Sequence, residues 1–319
     1  MSMDLMAREK HGGPFAVRPK HIMSVDVEDY FMVEAFAGSI TKSSWPSWPS
    51  RVVESTKRTL ELLDKYNAKG TFFFVGWVAN KFPHLVRDVI AHGHELGCHS
   101  FWHRPVYSLT PAQFREDTKL ALQTIEDASG LRVDGYRAPS WSITKECLWA
   151  LDILAEEGFS YDSSIYPIHH DLYGFPGAQR FPYTLISPNG SSLREYPPAT
   201  VHFLGLNLPA AGGGYLRILP STYTHWVFRH FERRYGGGVV TYLHPWELDP
   251  EQPRISGKLK SRLRHYTNLA GMKKKLESLL RLYSFQCFRD LLAVERGEDL
   301  ISQSSQSTST TLSGRLQLE

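Results

Sequence analysis

Cysteine is scarce in this chain, with Cys98, Cys147 and Cys287 the only three in 319 residues. The odd number, wide spacing and apolar flanks exclude a disulfide framework and read as buried thiols. Charge of one sign is also missing: 36 Lys and Arg against 33 Asp and Glu leave a net +3, too balanced to imply nucleic acid as a partner. Two basic runs, Lys258–Arg264 and Lys273–Lys275, read as solvated helix faces. No apolar run reaches membrane-spanning length, and the first twenty residues carry charges and glycines where a signal peptide would have its apolar core. The expectation is a cytoplasmic protein without a transmembrane segment. Beyond an alternation of strand and helix there is no internal repeat.

What is present is material for a sizeable core. Hydrophobic residues make up 42% and aromatics 13%, which is not a disordered composition. Residues 1–20 read as a flexible lead-in, 21–296 as one domain, and 297–319 as a Ser/Thr-rich tail that cannot bury a core. Within the domain, short apolar runs at 21–25, 71–75, 95–98, 135–137, 160–162, 193–196 and 239–242 have strand character. Amphipathic stretches at 51–66, 83–92, 111–129 and 144–157 separate the first five. Further amphipathic helices are expected at 220–234 and 272–293, with loops over 164–215. About seven strands with intervening helices imply a parallel α/β sheet, and that many units favour closure into a barrel.

Chemistry-bearing residues gather where these strands end. His99 and His103 stand four apart, a spacing that would stack both imidazoles on one face if the segment turned helical after Cys98. Asp26, Glu28 and Asp29 lie within four positions, and like charges so close need a cation or a shared proton. They could equally cap the next helix. With a metal present, either Glu28 or Asp29 would complete a ligand set, leaving Asp26 as a base. Arg137 could make a structural ion pair, or hold Asp26 ionised through a bidentate contact. Asp162 could form an Asx-turn, or keep an imidazole protonated. His244 is either a core histidine or a general acid. Tyr30, Trp77, Trp102, Trp141, Tyr215 and Trp246 are candidate lining for a sugar cleft, whereas His169, His170 and His202 read as surface residues.

Taken in order, these motifs resemble the NodB-type polysaccharide deacetylases, metal-dependent carbohydrate esterases that remove acetyl groups from glycans. Ser24-Val25-Asp26-Val27-Glu28-Asp29 stands for the family's acidic first motif, and His99-Ser100-Phe101-Trp102-His103 for its histidine pair. Arg137-Ala138-Pro139, Asp162-Ser163-Ser164 and Leu243-His244-Pro245 stand for the remaining three. Val27 departs from the usual form by separating Asp26 from the next carboxylate. The Asp26–Tyr30 version, with Arg137–Ser142 and Gly212–Pro220, is most similar to a bacterial subfamily associated with exopolysaccharide and exosortase systems.

The resemblance implies a distorted (β/α)7 barrel and a divalent ion, Zn²⁺ first and Co²⁺ or Ni²⁺ as alternatives. It implies an acetylated glycan as substrate and acetyl removal, chiefly from nitrogen, as the reaction. In that scheme His99, His103 and one of Glu28 or Asp29 hold the metal, Asp26 is the base, His244 the acid, Arg137 orients Asp26, and Asp162 tunes His244. Two other readings remain open: a hydrolase of small cyclic or linear amides on the same barrel, and a carbohydrate-binding protein with a decayed site.

Overall fold

The computed structural model describes residues 19–170, 173–187, 190–210 and 212–297. The expected lead-in and tail therefore lie almost wholly outside the described residues. β1 (His21–Val27), β2 (Thr71–Phe74) and β3 (Glu95–Cys98) are buried along their whole length, as apolar runs covered on both faces must be. Between β1 and β2 runs α1 (Val52–Lys65), and between β2 and β3 run α2 (Gly76–Lys81) and α3 (Pro83–Ala91). α4 (Pro111–Ser129) leads to β4 (Gly135–Tyr136), and α5 (Trp149–Glu156) leads to β5 (Tyr161–Asp162). The ends of α4 are written in its sequence. Thr110 and Gln113 cap it reciprocally, Pro111 occupies its first position, and Gly130 at φ 70° ends it.

The stretch expected as loops over 164–215 contains more order than its Pro and Gly content suggests. β6 (Tyr183–Ile186) pairs with β7 (Ser192–Glu195), the strand expected at 193–196, and both join the main sheet, while β8 (Thr200–Phe203) and β9 (Leu206–Pro209) form a separate hairpin. α6 (Gly213–Ile218), α7 (Ser221–Tyr235), β10 (Val240–Leu243), α8 (Leu259–Tyr266), α9 (Leu269–Leu282), β11 (Phe285–Gln286) and α10 (Phe288–Arg296) follow. The single helix expected over 272–293 is thus two, because Phe285 and Gln286 leave the helix to pair with His21 and Ile22 of β1.

The sheet runs β10-β1-β2-β3-β4-β5-β7 with every pairing parallel, then adds β6 antiparallel at one edge and β11 beside β1. It curls into a barrel that does not close by a full ladder. Among the described residues, the gap between β7 and β10 is spanned by a hydrogen bond from Ala199 N to Val240 O (3.2 Å) and by a lone bridge between Gly212 and Tyr242. The expected barrel is present in this opened, distorted form.

One packing contact ties the sheet to the strand-end residues. Gly97 lies opposite Phe73 in the β2–β3 register, and a Cβ at Gly97 would sit 2.3 Å from the Phe73 ring. The Arg137 guanidinium stands 4.3 Å from the centroid of that ring. Gly97→Ala should therefore destabilise the fold by about 1–3 kcal/mol through overpacking. Urea unfolding checks this, and an unchanged midpoint would contradict the packing described.

Candidate active site

Parallel strands aim their C-terminal ends at one rim, so residues that follow each strand meet there. Glu28 follows β1, His99 follows β3, Arg137 follows β4, Ser163 follows β5 and His244 follows β10. The His99–His103 segment is not the helical turn that its spacing suggests. It is a loop in which Ser100 (φ 60°) and His103 (φ 48°) take left-handed conformations, an uncommon choice for such residues that needs outside support. Asp117 of α4 provides it, accepting from Phe101 N at 2.7 Å and from Arg104 Nη2 at 3.0 Å. The start of α2 adds hydrogen bonds from Gly76 N to Ser100 O and from Trp77 N to Phe101 O.

This loop brings both imidazoles against Glu28. Glu28, His99 and His103 are all buried and each offers one ligand atom, the three lying within 4.8 Å of one another. His99 Nδ1 is 2.7 Å from Arg137 O. A carbonyl only accepts, so Nδ1 carries the proton and Nε2 keeps its lone pair for a ligand, as in metal-binding histidines. Burial holds the His99 ring down at about pKa 4, and so neutral. Glu28 Oε2 stands 2.7 Å from His103 Nε2 yet has no hydrogen-bond partner, and His103 Nδ1 has none either. Burial alone would raise the Glu28 carboxyl, but the charges of His103, His244 and His99 outweigh it and hold it at about 2. Trp246 Nε1 donates to Glu28 Oε1 at 3.1 Å and fixes the side chain. Two imidazoles and one ionised carboxylate, with buried polar atoms short of partners, fit a divalent cation with a position left open for a further ligand.

Asp29 is not part of this set. Its carboxylate accepts from Ser50 Oγ, Arg51 N and Val52 N, and so caps α1 across a chain separation of more than twenty residues. Burial raises its carboxyl to about 6. Of the two, Glu28 stands with the histidines, while Asp29 is committed to the helix start.

Asp26 faces the trio from β1. Arg137 Nη1 donates to its Oδ1 at 2.8 Å and also to Ser24 Oγ, while Nε and Nη2 go to Ser163 O and Oγ. The contact with Asp26 is therefore single, not bidentate, since the other guanidinium edge is spent on Ser163. His244 Nε2 lies 3.9 Å from Asp26 Oδ2 and 3.7 Å from Glu28 Oε1.

The expected partner of His244, Asp162, does not fill that role. Asp162 accepts from Ser164 Oγ at 2.5 Å and faces Glu195 across the β5–β7 register. Burial raises its carboxyl to about 6. Burial and the neighbouring Asp162 charge raise Glu195 as well. Asp162 thus supports the loop that carries Ser163 and Ser164, one step behind Arg137. The acid beside His244 is Glu247: Oε2 accepts from His244 N at 3.1 Å and lies 3.5 Å from Nδ1. Arg217 of α6 holds the other oxygen at 3.1 Å, with both side chains buried. Burial lowers the His244 ring, but Glu247, Glu28 and Asp26 reverse this and push it up to about 9. Sequence reasoning passed over Glu247, although its place three residues after His244 at a strand end was a usable signal.

These groups open into a cavity of about 460 Å³. Trp141, Tyr215 and Trp246 line it as expected, and the exposed His169 and half-buried His170 lie at it as well. Tyr30, Trp77 and Trp102 do not line it; they pack with Trp45, Trp48 and Phe31 in an aromatic cluster beneath.

The division of labour between neighbouring carboxylates is testable. Glu28→Gln should weaken zinc binding more than about a hundredfold by calorimetry with little loss of fold. Asp29→Ala should keep zinc binding while costing about 2 kcal/mol of stability. The reverse pattern would contradict the assignment.

Known proteins match this chain in two adjoining segments. Residues 45–158 match the family "Polysaccharide deacetylase", and residues 163–293 match one described as "Domain of unknown function (DUF3473)". A peptidoglycan deacetylase of Helicobacter pylori is 31% identical over 118 residues, covering 36% of this chain and 38% of that protein. A bifunctional xylanase/deacetylase of Pseudobutyrivibrio xylanivorans is 29% identical over 100 residues, 31% of this chain and 17% of the relative. The chain thus spans less than half the length of these relatives. Its fold is similar to the crystal structure of a Mycobacterium smegmatis protein assigned to the polysaccharide deacetylases, with a TM-score of 0.58 at 19% identity over 90% of this chain and 93% of that one. The family match, with the motifs that lie in and around it, identifies residues 45–158 as polysaccharide deacetylase sequence of the NodB type.

Proposed function

We propose that this protein is a metal-dependent hydrolase that removes acetyl groups, chiefly N-acetyl, from a glycan. The observation that carries the reading is the convergence of Glu28, His99 and His103 within 4.8 Å, with Asp26 and His244 facing each other across 3.9 Å beside them. Glu28, His99 and His103 would hold the divalent cation, Zn²⁺ first and Co²⁺ or Ni²⁺ next, which would supply Lewis-acid polarisation of the acetamide carbonyl and lower the pKa of water.

The remaining steps belong to the chain's own side chains. Asp26, aimed by Arg137, accepts the proton of the attacking water. The backbone N–H at Ser140, in the strained turn after Arg137 (φ 54°), donates to the oxygen that becomes negative. His244, protonated through its acidic neighbours, gives its Nε2 proton to the departing nitrogen. Acetate and the free amine result.

The cavity sets the size of what enters. Glu34, Tyr107, Tyr173, Tyr215, Ile218 and Arg264 border it, so it suits the end or a short segment of a glycan more than the middle of a long polymer. The same bounded shape admits a second reading, hydrolysis of small amides. The similarity of Asp26–Tyr30 and Gly212–Pro220 to the exopolysaccharide-associated subfamily favours an exopolysaccharide intermediate over such amides.

Acetate release from acetylated oligosaccharides, with small cyclic and linear amides assayed alongside, separates the two. Asp26→Asn and His244→Ala should each lower the rate by about 10²–10⁴, and chelation followed by Zn²⁺ should abolish and then restore it. Variants with near wild-type rates would overturn the scheme. The His244 ring is raised from 6.5 to about 9, so it holds its proton below that value and loses it above. The rate should fall as pH rises through about 9, and Glu247→Gln should move that fall to lower pH. An alkaline limb that does not move would place the acid elsewhere.

A further inference from the structure

Between residues 252 and 276 the chain carries eight Lys and Arg and no Asp or Glu. α8 lies in this stretch and does not have the solvated polar face that its charges suggest. Leu259 and Leu263, one helical turn apart, are exposed at 69% and 58%, between the exposed cations Lys258, Lys260 and Arg262. The opposite side of the helix is anchored: His265 is buried and stacks on Trp246 with ring centroids 4.1 Å apart. The leucines are therefore held outward by the fold.

A second apolar edge packs on a segment that leads to the same cavity. The β8–β9 hairpin exposes Phe203, Leu204 and Leu206 around its turn, Leu204 at 84%. Asn207 of this hairpin donates to Pro167 O at 2.8 Å, so it packs on the segment that brings His169, His170 and Tyr173 to the cavity. α8 brings Arg264 and His265 to that cavity, and the exposed Ile218 of α6 also borders it.

We propose that α8 and the β8–β9 hairpin form a docking face for an anionic membrane surface, which holds the cavity mouth at the lipid headgroups. Leucines set among cations on one helix face are the pattern of interfacial helices. Cations without intervening carboxylates complement anionic lipid and leave a nucleic acid no reason to cover the leucines. Among the described residues no helix is long and apolar enough to cross a membrane. This inference goes beyond the deacetylase reading and does not depend on it.

The test is co-sedimentation of the full chain with vesicles of mixed phosphatidylglycerol and phosphatidylcholine, against vesicles of phosphatidylcholine alone. Binding should require the anionic lipid and weaken with added salt. It should fall at least tenfold in Leu259→Ser with Leu263→Ser, in Phe203→Ser with Leu204→Ser, and in Lys258→Glu with Arg262→Glu. All six positions are exposed, so unfolding midpoints should not move. No binding, equal binding to both vesicle types, or binding unaffected by all three double variants would overturn the proposal. So would a dimer in sedimentation velocity that the leucine variants dissolve, since the face would then belong to a second copy.

Discussion

Three buried polar groups pointed at one place are a liability for a fold unless something compensates them. Glu28, His99 and His103 sit almost without solvent, Glu28 Oε2 meets only the His103 ring at 2.7 Å, and His103 Nδ1 has no hydrogen-bond partner. A buried charge short of partners costs several kcal/mol, so the surrounding structure must hold the arrangement against its own tendency to relax. Asp117 and the start of α2 hold the strained histidine loop, Trp246 holds the carboxylate, and the Arg137 carbonyl sets the His99 tautomer. That investment makes sense if a cation completes the site, and the rest of the rim is arranged around it.

The site is built by both halves of the chain. Residues 45–158, the part recognised as polysaccharide deacetylase, supply the histidine pair and Arg137. The Arg137 side chain spends two of its donor positions on Ser163, which belongs to the second segment. His244, Glu247 and Arg217 come from that segment as well, and so do most of the cavity walls. β10 pairs with β1 and β11 joins it, so the second segment completes the sheet as well as the site. A buried Arg217–Glu247 pair stands behind His244, and Glu247, with Glu28 and Asp26, favours the protonated ring against the opposing effect of burial.

Much of this was legible in the residues. Continuous apolar runs such as Thr71–Val75 identified buried strands because burial on both faces leaves no room for polar alternation. Strand ends then located Asp26, His99, Arg137 and His244, since parallel strands deliver successive loops to one rim. What local pattern could not tell was how side chains divide their hydrogen bonds. Glu28 and Asp29 are adjacent and chemically alike, and only the distant arrival of Ser50–Val52 commits one of them to a helix start. Asp162 likewise depends on Glu195, a neighbour created by strand register. The four-residue spacing of His99 and His103 suggested a helix, whereas the real cause of their convergence is a left-handed loop pinned by Asp117.

The central claim is that one divalent cation belongs to Glu28, His99 and His103. Anomalous diffraction from zinc-loaded crystals tests it most directly. The account predicts a single strong peak about 2.0–2.2 Å from Nε2 of His99, from a ring nitrogen of His103 and from a Glu28 oxygen, with Asp29 still bonded to Arg51 and Val52. A peak on Asp29 with Glu28 turned away, or no peak at the rim at all, would contradict it.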